Sequence, residues 1–390
     1  MHTEWFHSDC LATYYQVEVF GEQHWNIIEA FVLTAVRRGI NMLLTPIFTP
    51  PLDTKIGGER PTVQLVDVYK KGNQYSFGFE RLKRWVEMCD RCGVMYFEFS
   101  HLFTQWGAKH APKIMAEENG QLMQIFGWET DAAGGEYGEF LDQFLPALVQ
   151  IIKEYDLENR SYFHVSDEPY LDHLTNYSHA SERLSRHLSG FPIIDALSNY
   201  EFYEKGFVKN PIPASNHIEP FLENGVRNLW TYYCCSQYKS VSNRFFCFPS
   251  ARNRIIGMQM FKYQIEGFLH WGYNFWNSQY SIRAIDPYRT TDADEAFPSG
   301  DAFVVYPGAN GQPVESIRFA VFYEALQDMR ALQLLEELIG REETLKLLEE
   351  GMEQELTFRN FPSDADWLLA CKETINRKIA EAVRHMSLGK

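Results

Sequence analysis

Strand-like and helix-like stretches alternate along this chain of 390 residues, and eight such repeats predict a parallel α/β fold that closes into a TIM (β/α)8 barrel with a C-terminal helical cap. A hydrophobic content of 45% supplies enough apolar side chains for a core of that size. Toward the C terminus the strand-like stretches cease and only helical patterns continue. We therefore expect a barrel domain over residues 1–300 and a helical region over residues 301–390 that packs against it.

The individual elements are assigned from apolar periodicity and from the positions of glycine and proline. Predicted strands cover residues 14–20, 40–44, 94–99, 162–168, 192–197, 212–215, 226–233 and 267–272, and predicted helices cover residues 24–38, 79–92, 137–152, 172–188 and 252–265. Gly39 and Gly93 suit helix C-terminal caps, and Pro146 is expected to bend or divide its helix. Residues 277–315 are predicted to form a long ordered loop.

Charge and composition limit the partners and the location of the chain. The formal net charge of −16 argues against nucleic acid or an anionic membrane as the main partner. No apolar run is long enough to span a bilayer, and no signal peptide is expected because no basic segment followed by an apolar one opens the chain. The seven cysteines show neither a disulfide framework nor a zinc spacing, so we expect free thiols and a cytoplasmic location.

The stretch from Tyr162 to Tyr170 is the most informative part of the sequence. A short apolar and aromatic run ends in the adjacent carboxylates Asp167 and Glu168, which Pro169 follows. Pro169 cannot join a strand ladder and is expected to hold Glu168 extended. Consecutive side chains of a regular strand point to opposite faces, so both can serve one site only if the backbone turns out of the sheet here. A solvated acidic turn that opens the next helix is the alternative interpretation.

Two neighbouring carboxylates favour acid–base chemistry, because each raises the pKa of the other and one of them stays protonated near neutral pH. Aromatic residues make up 15% of the chain and suit sugar stacking as well as core packing. Glycosidases with two catalytic carboxylates usually hold them about 5 to 9 Å apart, on opposite sides of the anomeric carbon, a scheme that consecutive residues fit poorly. They fit substrate-assisted hydrolysis better, in which the 2-acetamido oxygen of the sugar attacks the anomeric carbon.

The segment Phe163-His164-Val165-Ser166-Asp167-Glu168-Pro169 resembles the catalytic segment of glycoside hydrolase family 123, the β-N-acetylgalactosaminidases. The resemblance continues through residues 230–234, 267–274, 300–308 and 316–318 and covers most of the chain. It implies a retaining, exo-acting β-N-acetylhexosaminidase, with galactosaminides preferred, that hydrolyses terminal 2-acetamido sugars of glycans or glycoconjugates through an oxazolinium intermediate. By the same resemblance, Asp167 orients the acetamido group and Glu168 is the acid/base. Family members often carry an N-terminal β-sandwich, which this chain is expected to lack.

Further candidate residues, among them Asp53 and Asp195, lie where predicted strands end, which is where a TIM barrel carries its site. The predicted substrate-binding residues are Tyr232, Trp271, Trp276, His101, Trp106, Asn199 and Asn274. No HExxH, His-x-His or clustered Cys/His pattern supports a metal, and no cofactor is expected. Two alternative functions remain. One is a non-catalytic sugar-binding barrel, which would keep the tryptophans without needing either carboxylate, and the other is a metal-dependent sugar isomerase or hydrolase that uses His and Glu at strand ends.

Overall fold

Eight parallel strands form a closed barrel in the computed structural model, which describes residues 1–388. The strands are β1 His2–Glu4, β2 Met42–Thr45, β3 Tyr96–Phe99, β4 Ser161–Tyr162, β5 Ile194–Ala196, β6 Asn210–Ile212, β7 Trp230–Tyr232 and β8 Gly267–His270. Hydrogen-bonded ladders join β7, β8, β1, β2, β3 and β4 in that order, and join β5 with β6. Single parallel bridges, Phe163 with Ile193 and Ala214 with Tyr232, connect the two groups and close the ring. The predicted TIM barrel is therefore confirmed.

The first barrel strand lies earlier in the chain than the sequence predicts. The predicted strand over residues 14–20 is wrong, because the helix Ser8–Tyr15 covers its start and Gln16 ends that helix in a left-handed conformation. The strand β1 takes its place between β8 and β2. Its residues His2, Thr3 and Glu4 are polar in sequence yet fully buried, so apolar periodicity does not reveal it. The other seven predicted strands overlap β2 to β8.

Helices surround the barrel and bury their apolar faces against it. They are Ser8–Tyr15, Glu22–Arg37, Glu80–Cys92, Gly135–Glu154, Leu174–His187, Glu201–Glu204, Glu219–Glu223, Ser250–Arg254 and Ile256–Lys262. Gly39 and Gly93 follow two of these helices with φ values of 87° and 88°, as predicted for C-terminal caps. Pro146 does not divide its helix, because Gly135–Glu154 is one continuous helix that contains it.

Three helices form the C-terminal part of the described chain: Ile317–Ile339, Arg341–Leu348 and Ala365–Leu388. Their buried leucines pack with the helices Ser250–Arg254 and Ile256–Lys262 in an apolar cluster of their own. The C-terminal helical cap is therefore confirmed, while the domain boundary at residue 300 stays a prediction. The last two residues of the predicted region 301–390 lie outside the described residues.

A four-stranded sheet, which the sequence patterns do not predict, is inserted into the connections after β2 and β3. Its strands are Asp67–Lys71, Gln74–Gly78, Ile114–Glu118 and Gln121–Phe126. The last of them exposes four consecutive side chains, so no clear alternation of apolar and polar residues marks it. An antiparallel hairpin, Val305–Pro307 with Pro313–Glu315, likewise occupies the end of the predicted long loop.

The interior of the barrel is filled by apolar side chains from its own strands, among them Met42, Leu44, Ile194, Trp230 and Leu269. This layer forms the floor beneath the carboxyl ends of the strands. Within the described part of the chain, no helix is both long enough and apolar enough to cross a bilayer. All seven cysteines lie in that part and are unpaired.

Candidate active site

The chain turns sharply at Asp167 and Glu168, just beyond β4. Glu168 has a φ of 42°, a left-handed conformation that costs a non-glycine residue about 1–3 kcal/mol. Two backbone hydrogen bonds fix the turn: Trp106 N–H donates to the carbonyl of Asp167 at 2.9 Å, and Glu168 N–H donates to the carbonyl of Ala196 at 3.0 Å. The expectation that Pro169 holds Glu168 extended is wrong, because these contacts with neighbouring segments decide its conformation. The predicted turn out of the sheet is present, and both carboxylates line one cavity.

This cavity has a volume of about 360 Å³ and opens at the carboxyl ends of the strands. Its size falls within the range of about 300–1,000 Å³ that small-molecule sites occupy. Trp5, Trp106 and Trp271 contribute aromatic walls, and Asp53 brings a third carboxylate. The lining therefore combines flat apolar surfaces with acidic groups, which suits a ligand that has both apolar faces and hydroxyl groups.

Three of the predicted substrate-binding residues, Tyr232, Trp271 and Trp106, line this cavity. The hydroxyl of Tyr232 donates a hydrogen bond to Oε1 of Glu168 at 2.6 Å. The indole N–H of Trp271 donates to Oδ2 of Asp301 at 2.9 Å. Trp106 adopts a φ of 57°, and its N–H donates to the turn at Asp167 and Glu168. Hydrogen bonds within the protein therefore set the positions of all three residues.

Asn199 lines a second cavity, of about 530 Å³, which adjoins the first. The side-chain oxygen of Asn199 accepts a hydrogen bond from Glu201 N–H at 3.0 Å. Glu168, Tyr170 and Tyr232 line both cavities. The carboxyl group of Glu168 consequently stands at the boundary between two spaces that a larger ligand would occupy together.

The remaining three predicted substrate-binding residues do not line either cavity. His101 is 1% exposed and stacks on His164 with ring centroids 4.2 Å apart. Asn274 is fully buried and exchanges two hydrogen bonds with the backbone of His7. Trp276 is also buried, and its indole N–H donates to a backbone carbonyl at 3.2 Å. Strand ends carry packing residues as well as site residues, and sequence position does not separate the two groups.

Trp5, which the sequence patterns do not single out, lines the cavity, and so does Asp53, a candidate from its position at a strand end. Trp5 directly follows β1, the strand that apolar periodicity does not reveal. Asp53 lies in the loop after β2 with a φ of 38°. Its N–H donates to Oε1 of Gln105 at 2.6 Å, and its carboxylate accepts from Tyr280 N–H at 3.0 Å. Position after a strand is the one sequence signal that points to Asp53.

Burial and mutual repulsion control the ionisation of the acidic groups. Burial raises the pKa of Asp167 well above its usual range, the charge of Glu168 raises it further, and His164 opposes both effects. Burial also raises the pKa of Glu168, and the hydrogen bond from Tyr232 partly offsets that rise. Burial raises the pKa of Asp53 to about 6 despite a backbone hydrogen bond. Adjacent carboxyl groups with raised pKa values favour a single proton shared by the pair near neutral pH.

A parallel (β/α)8 barrel whose strand ends present paired carboxylates in an aromatic cavity has the architecture of a glycoside hydrolase. Residues 5–335 match the family model for the glycoside hydrolase 123 catalytic domain. The chain therefore belongs to glycoside hydrolase family 123.

Solved structures extend the comparison. The fold is similar to that of a family 123 glycoside hydrolase from Clostridium perfringens, described for glycolipid glycan hydrolysis, with a TM-score of 0.73 and 15% sequence identity over 100% of this chain and 70% of that chain. A family 5 mannosidase from Rhizomucor miehei aligns with a TM-score of 0.41 and 11% identity over 84% of this chain and 93% of that chain, which is too distant to support an argument. No curated protein matches the chain.

Proposed function

We propose that this family 123 glycoside hydrolase is a retaining, exo-acting β-N-acetylhexosaminidase that prefers terminal β-N-acetylgalactosaminides. The observation that carries the proposal is that Asp167 and Glu168, consecutive in sequence, line the same cavity. Carboxyl groups on neighbouring backbone positions approach a bound sugar from one side. They therefore suit a reaction in which the substrate supplies its own nucleophile. The preference for galactosaminides rests on the resemblance of the catalytic segment to that family.

Each carboxyl group has a defined task in this reaction. The carbonyl oxygen of the 2-acetamido group attacks the anomeric carbon while Glu168 gives a proton to the departing glycosidic oxygen. Asp167 accepts a hydrogen bond from the acetamido N–H and stabilises the positive charge of the forming oxazolinium ring. In the second step Glu168 takes a proton from water, and that water opens the ring at the anomeric carbon. Two displacements at one carbon retain its configuration.

Substrate binding places the shared proton where the first step needs it. Before substrate binds, burial raises the pKa of both carboxyl groups, and the charge of Glu168 also raises that of Asp167, so the pair shares one proton. The acetamido N–H would donate to Asp167, and a hydrogen bond to the ionised form of a carboxyl group lowers its pKa. The proton then resides on Glu168, beside the glycosidic oxygen.

The walls of the first cavity suit a single acetamido sugar. Trp106 and Trp271 line this cavity and are partly exposed, so their rings are available to pack against the apolar face of a pyranose. The hydrogen bond to Asp301 fixes the indole of Trp271 without substrate, which reduces the entropy lost on binding. Asp53, with a pKa of about 6, is mostly ionised at neutral pH and would accept hydrogen bonds from sugar hydroxyls.

The second cavity would receive the leaving group. The general acid must stand between the sugar that is cleaved and the group that departs, and Glu168 lines both cavities. Asn199, His217 and Gln237 give the second cavity polar side chains, and the ring of Tyr170 at its edge is 61% exposed. This lining supports a glycan or glycoconjugate substrate whose leaving group carries hydroxyls.

A panel of nitrophenyl glycosides tests the proposal. We expect hydrolysis of the β-N-acetylgalactosaminide, slower hydrolysis of the β-N-acetylglucosaminide, and release of the β-anomer of the sugar first, as followed by proton NMR. A non-catalytic sugar-binding barrel would bind these sugars without turnover. A metal-dependent enzyme would lose activity in EDTA and regain it with added metal. Absence of turnover on every 2-acetamido glycoside, or first release of the α-anomer, contradicts the proposal.

A further inference from the structure

A cluster of buried polar side chains lies beneath the catalytic turn. Nε2 of His164, three residues before Asp167, lies 2.6 Å from Oε1 of Glu98, and its Nδ1 lies 3.3 Å from Oδ1 of Asp195. The hydroxyl of Tyr177 donates to the other oxygen of Asp195. The side chains of His164, Glu98 and Asp195 are completely buried. The cluster is thus sealed from solvent and sits one short segment away from the reacting groups.

The surroundings of His164 favour its charged form. Both ring nitrogens face carboxylate oxygens, which accept hydrogen bonds, so both nitrogens carry hydrogen. Thr3 and Trp5 donate hydrogen bonds to Glu98 at 2.5 Å and 2.7 Å, so its carboxyl group is held in place facing His164. Burial alone would lower the pKa of His164, but its hydrogen bonds and charge interactions with Asp195 and Glu98 outweigh burial and raise the pKa to about 9.

Geometry and charge both connect this cluster with Asp167. Val165 N–H donates to Oδ1 of Asp195 at 3.0 Å, so Asp195 binds the segment that ends at the catalytic turn. Burial and the charges of Glu168, Asp195 and Asp53 raise the pKa of Asp167, and the positive charge of His164 is the influence that opposes them. In the proposed reaction Asp167 must be ionised when the oxazolinium ring forms. A fixed cation nearby therefore favours the state that reacts.

We propose that His164 is a positioning residue that, as a buried cation, favours the ionised form of Asp167 during the reaction and holds its segment in place through Asp195. The inference rests on the proposed function, because only a reaction that needs Asp167 ionised gives this charge a catalytic task. His164 itself does not line the cavity that would hold the sugar.

His101 completes the surroundings of His164. Its ring stacks on that of His164 at an interplanar angle of 22°, and burial, then the charge of His164, keep its pKa well below the usual value. Ligand atoms of His101, His164 and Asp195 lie within 4.8 Å of one another, so a bound metal is the competing explanation for the positive charge. Nearly parallel rings do not direct their lone pairs at one point, and carboxylates already occupy both nitrogens of His164. These two facts favour a proton.

The test compares His164→Gln with the matched control His101→Phe. Glutamine keeps a hydrogen-bonding group but carries no charge, and phenylalanine replaces one neutral ring by another. With a 2-acetamido glycoside, we expect His164→Gln to lower kcat by about 10²- to 10³-fold, to change KM much less, and to move the acidic limb of the kcat profile upward by about one pH unit or more. His101→Phe should leave that limb in place. A folded His164→Gln protein with the wild-type acidic limb overturns the inference.

Two further measurements do not depend on the folding of that variant. Nitrogen NMR of the wild-type histidines, assigned with the help of Glu98→Gln, should show both nitrogens of His164 protonated up to a pH of about 9; a neutral ring at neutral pH overturns the inference. Loss of kcat in EDTA and its return with zinc would identify a metal as the cation and would also overturn it. If the wild-type protein cleaves no 2-acetamido glycoside, the proposed function is wrong. If the wild-type protein is active but the acidic limb of the kcat profile does not shift in His164→Gln, only the inference about His164 is wrong.

Discussion

The hydroxyl of Tyr232 donates a hydrogen bond of 2.6 Å to Oε1 of Glu168, at the boundary of two adjoining cavities. Tyr232 ends β7 and Glu168 follows β4, so the contact depends on closure of the barrel. Burial raises the pKa of Glu168, and this hydrogen bond lowers it. Tyr232 therefore limits how firmly the proposed general acid holds its proton.

The first prediction concerns Tyr232→Phe. Without the hydroxyl the pKa of Glu168 rises, so the alkaline limb of the kcat/KM profile, where the acid loses its proton, should move upward by about one pH unit. That size follows because a hydrogen bond to a charged group is worth about 1.5–3 kcal/mol and one pKa unit corresponds to about 1.4 kcal/mol. Tyr233→Phe is the control, because the hydroxyl of Tyr233 donates a hydrogen bond to Asn253 and neither residue lines the cavity. An alkaline limb that stays in place in Tyr232→Phe counts against the role of this contact.

The second prediction concerns Glu168→Gln. An amide cannot protonate a leaving oxygen, so glycosides with poor leaving groups should slow by a general-acid factor of about 10²- to 10⁴-fold. Activated nitrophenyl glycosides need less protonation and should be spared in part. Steady-state rates over a series of leaving groups measure the difference. Equal losses for good and poor leaving groups would exclude Glu168 as the acid.

The third prediction concerns Asp167→Asn. Loss of the carboxylate removes the charge that stabilises the oxazolinium ring, and removal of one such group costs about 10²- to 10³-fold in turnover. Affinity for the intact sugar should change much less, because stacking on the tryptophans remains. A thiazoline analogue of the bicyclic intermediate should inhibit the wild-type protein and bind the variant far more weakly, as calorimetry can measure. Equal affinity of the analogue for both proteins would argue against this role.

The fourth prediction concerns Asp53→Asn. Asp53 has a pKa of about 6, so its carboxylate is present above that pH and is lost as the pH falls below it. We expect kcat/KM to decline on the acidic side near pH 6, and this step should disappear in the variant, which has no group to titrate there. The variant should also lose about 10- to 100-fold in kcat/KM, the value of a hydrogen bond to a charged group. An unchanged profile would mean that Asp53 does not bind substrate.

Seven of the barrel strands and the adjacent carboxyl groups of Asp167 and Glu168 could be predicted from the sequence because both leave local patterns. Seven of the eight barrel strands are apolar runs bounded by glycine, proline or polar residues. β1 breaks that pattern, because Thr3 and Glu4 are buried through partners distant in sequence: Thr3 donates to Glu98, and Glu4 pairs with Arg244 at 2.9 Å. Those partners come close only in the assembled barrel, so no local sequence pattern predicts that Thr3 and Glu4 are buried.

The candidate site was predictable to a similar extent. The adjacency of Asp167 and Glu168 in the sequence predicts the carboxyl pair. It does not predict the left-handed conformation of Glu168, because that conformation occurs together with backbone hydrogen bonds from Trp106 and to Ala196. Trp271 and Trp276 are alike in sequence, both following β8, yet one lines the cavity and the other is buried against Tyr14 and Phe31 of the first two helices. Such a difference depends on side-chain direction, which tertiary packing determines.

The substrate-assisted mechanism is tested most directly by the rates of the unaltered protein on two nitrophenyl glycosides, the β-N-acetylgalactosaminide and the β-galactoside. They differ only in the group at the second carbon of the ring. The acetamido oxygen is the proposed nucleophile, and the galactoside has no such group. The galactoside therefore loses an intramolecular attack, a kind of reaction whose effective molarity is about 10⁵ M or more. We predict that kcat/KM for the galactoside is lower by about 10⁴-fold or more. Comparable rates on the two glycosides would contradict the mechanism and require a nucleophile from the protein.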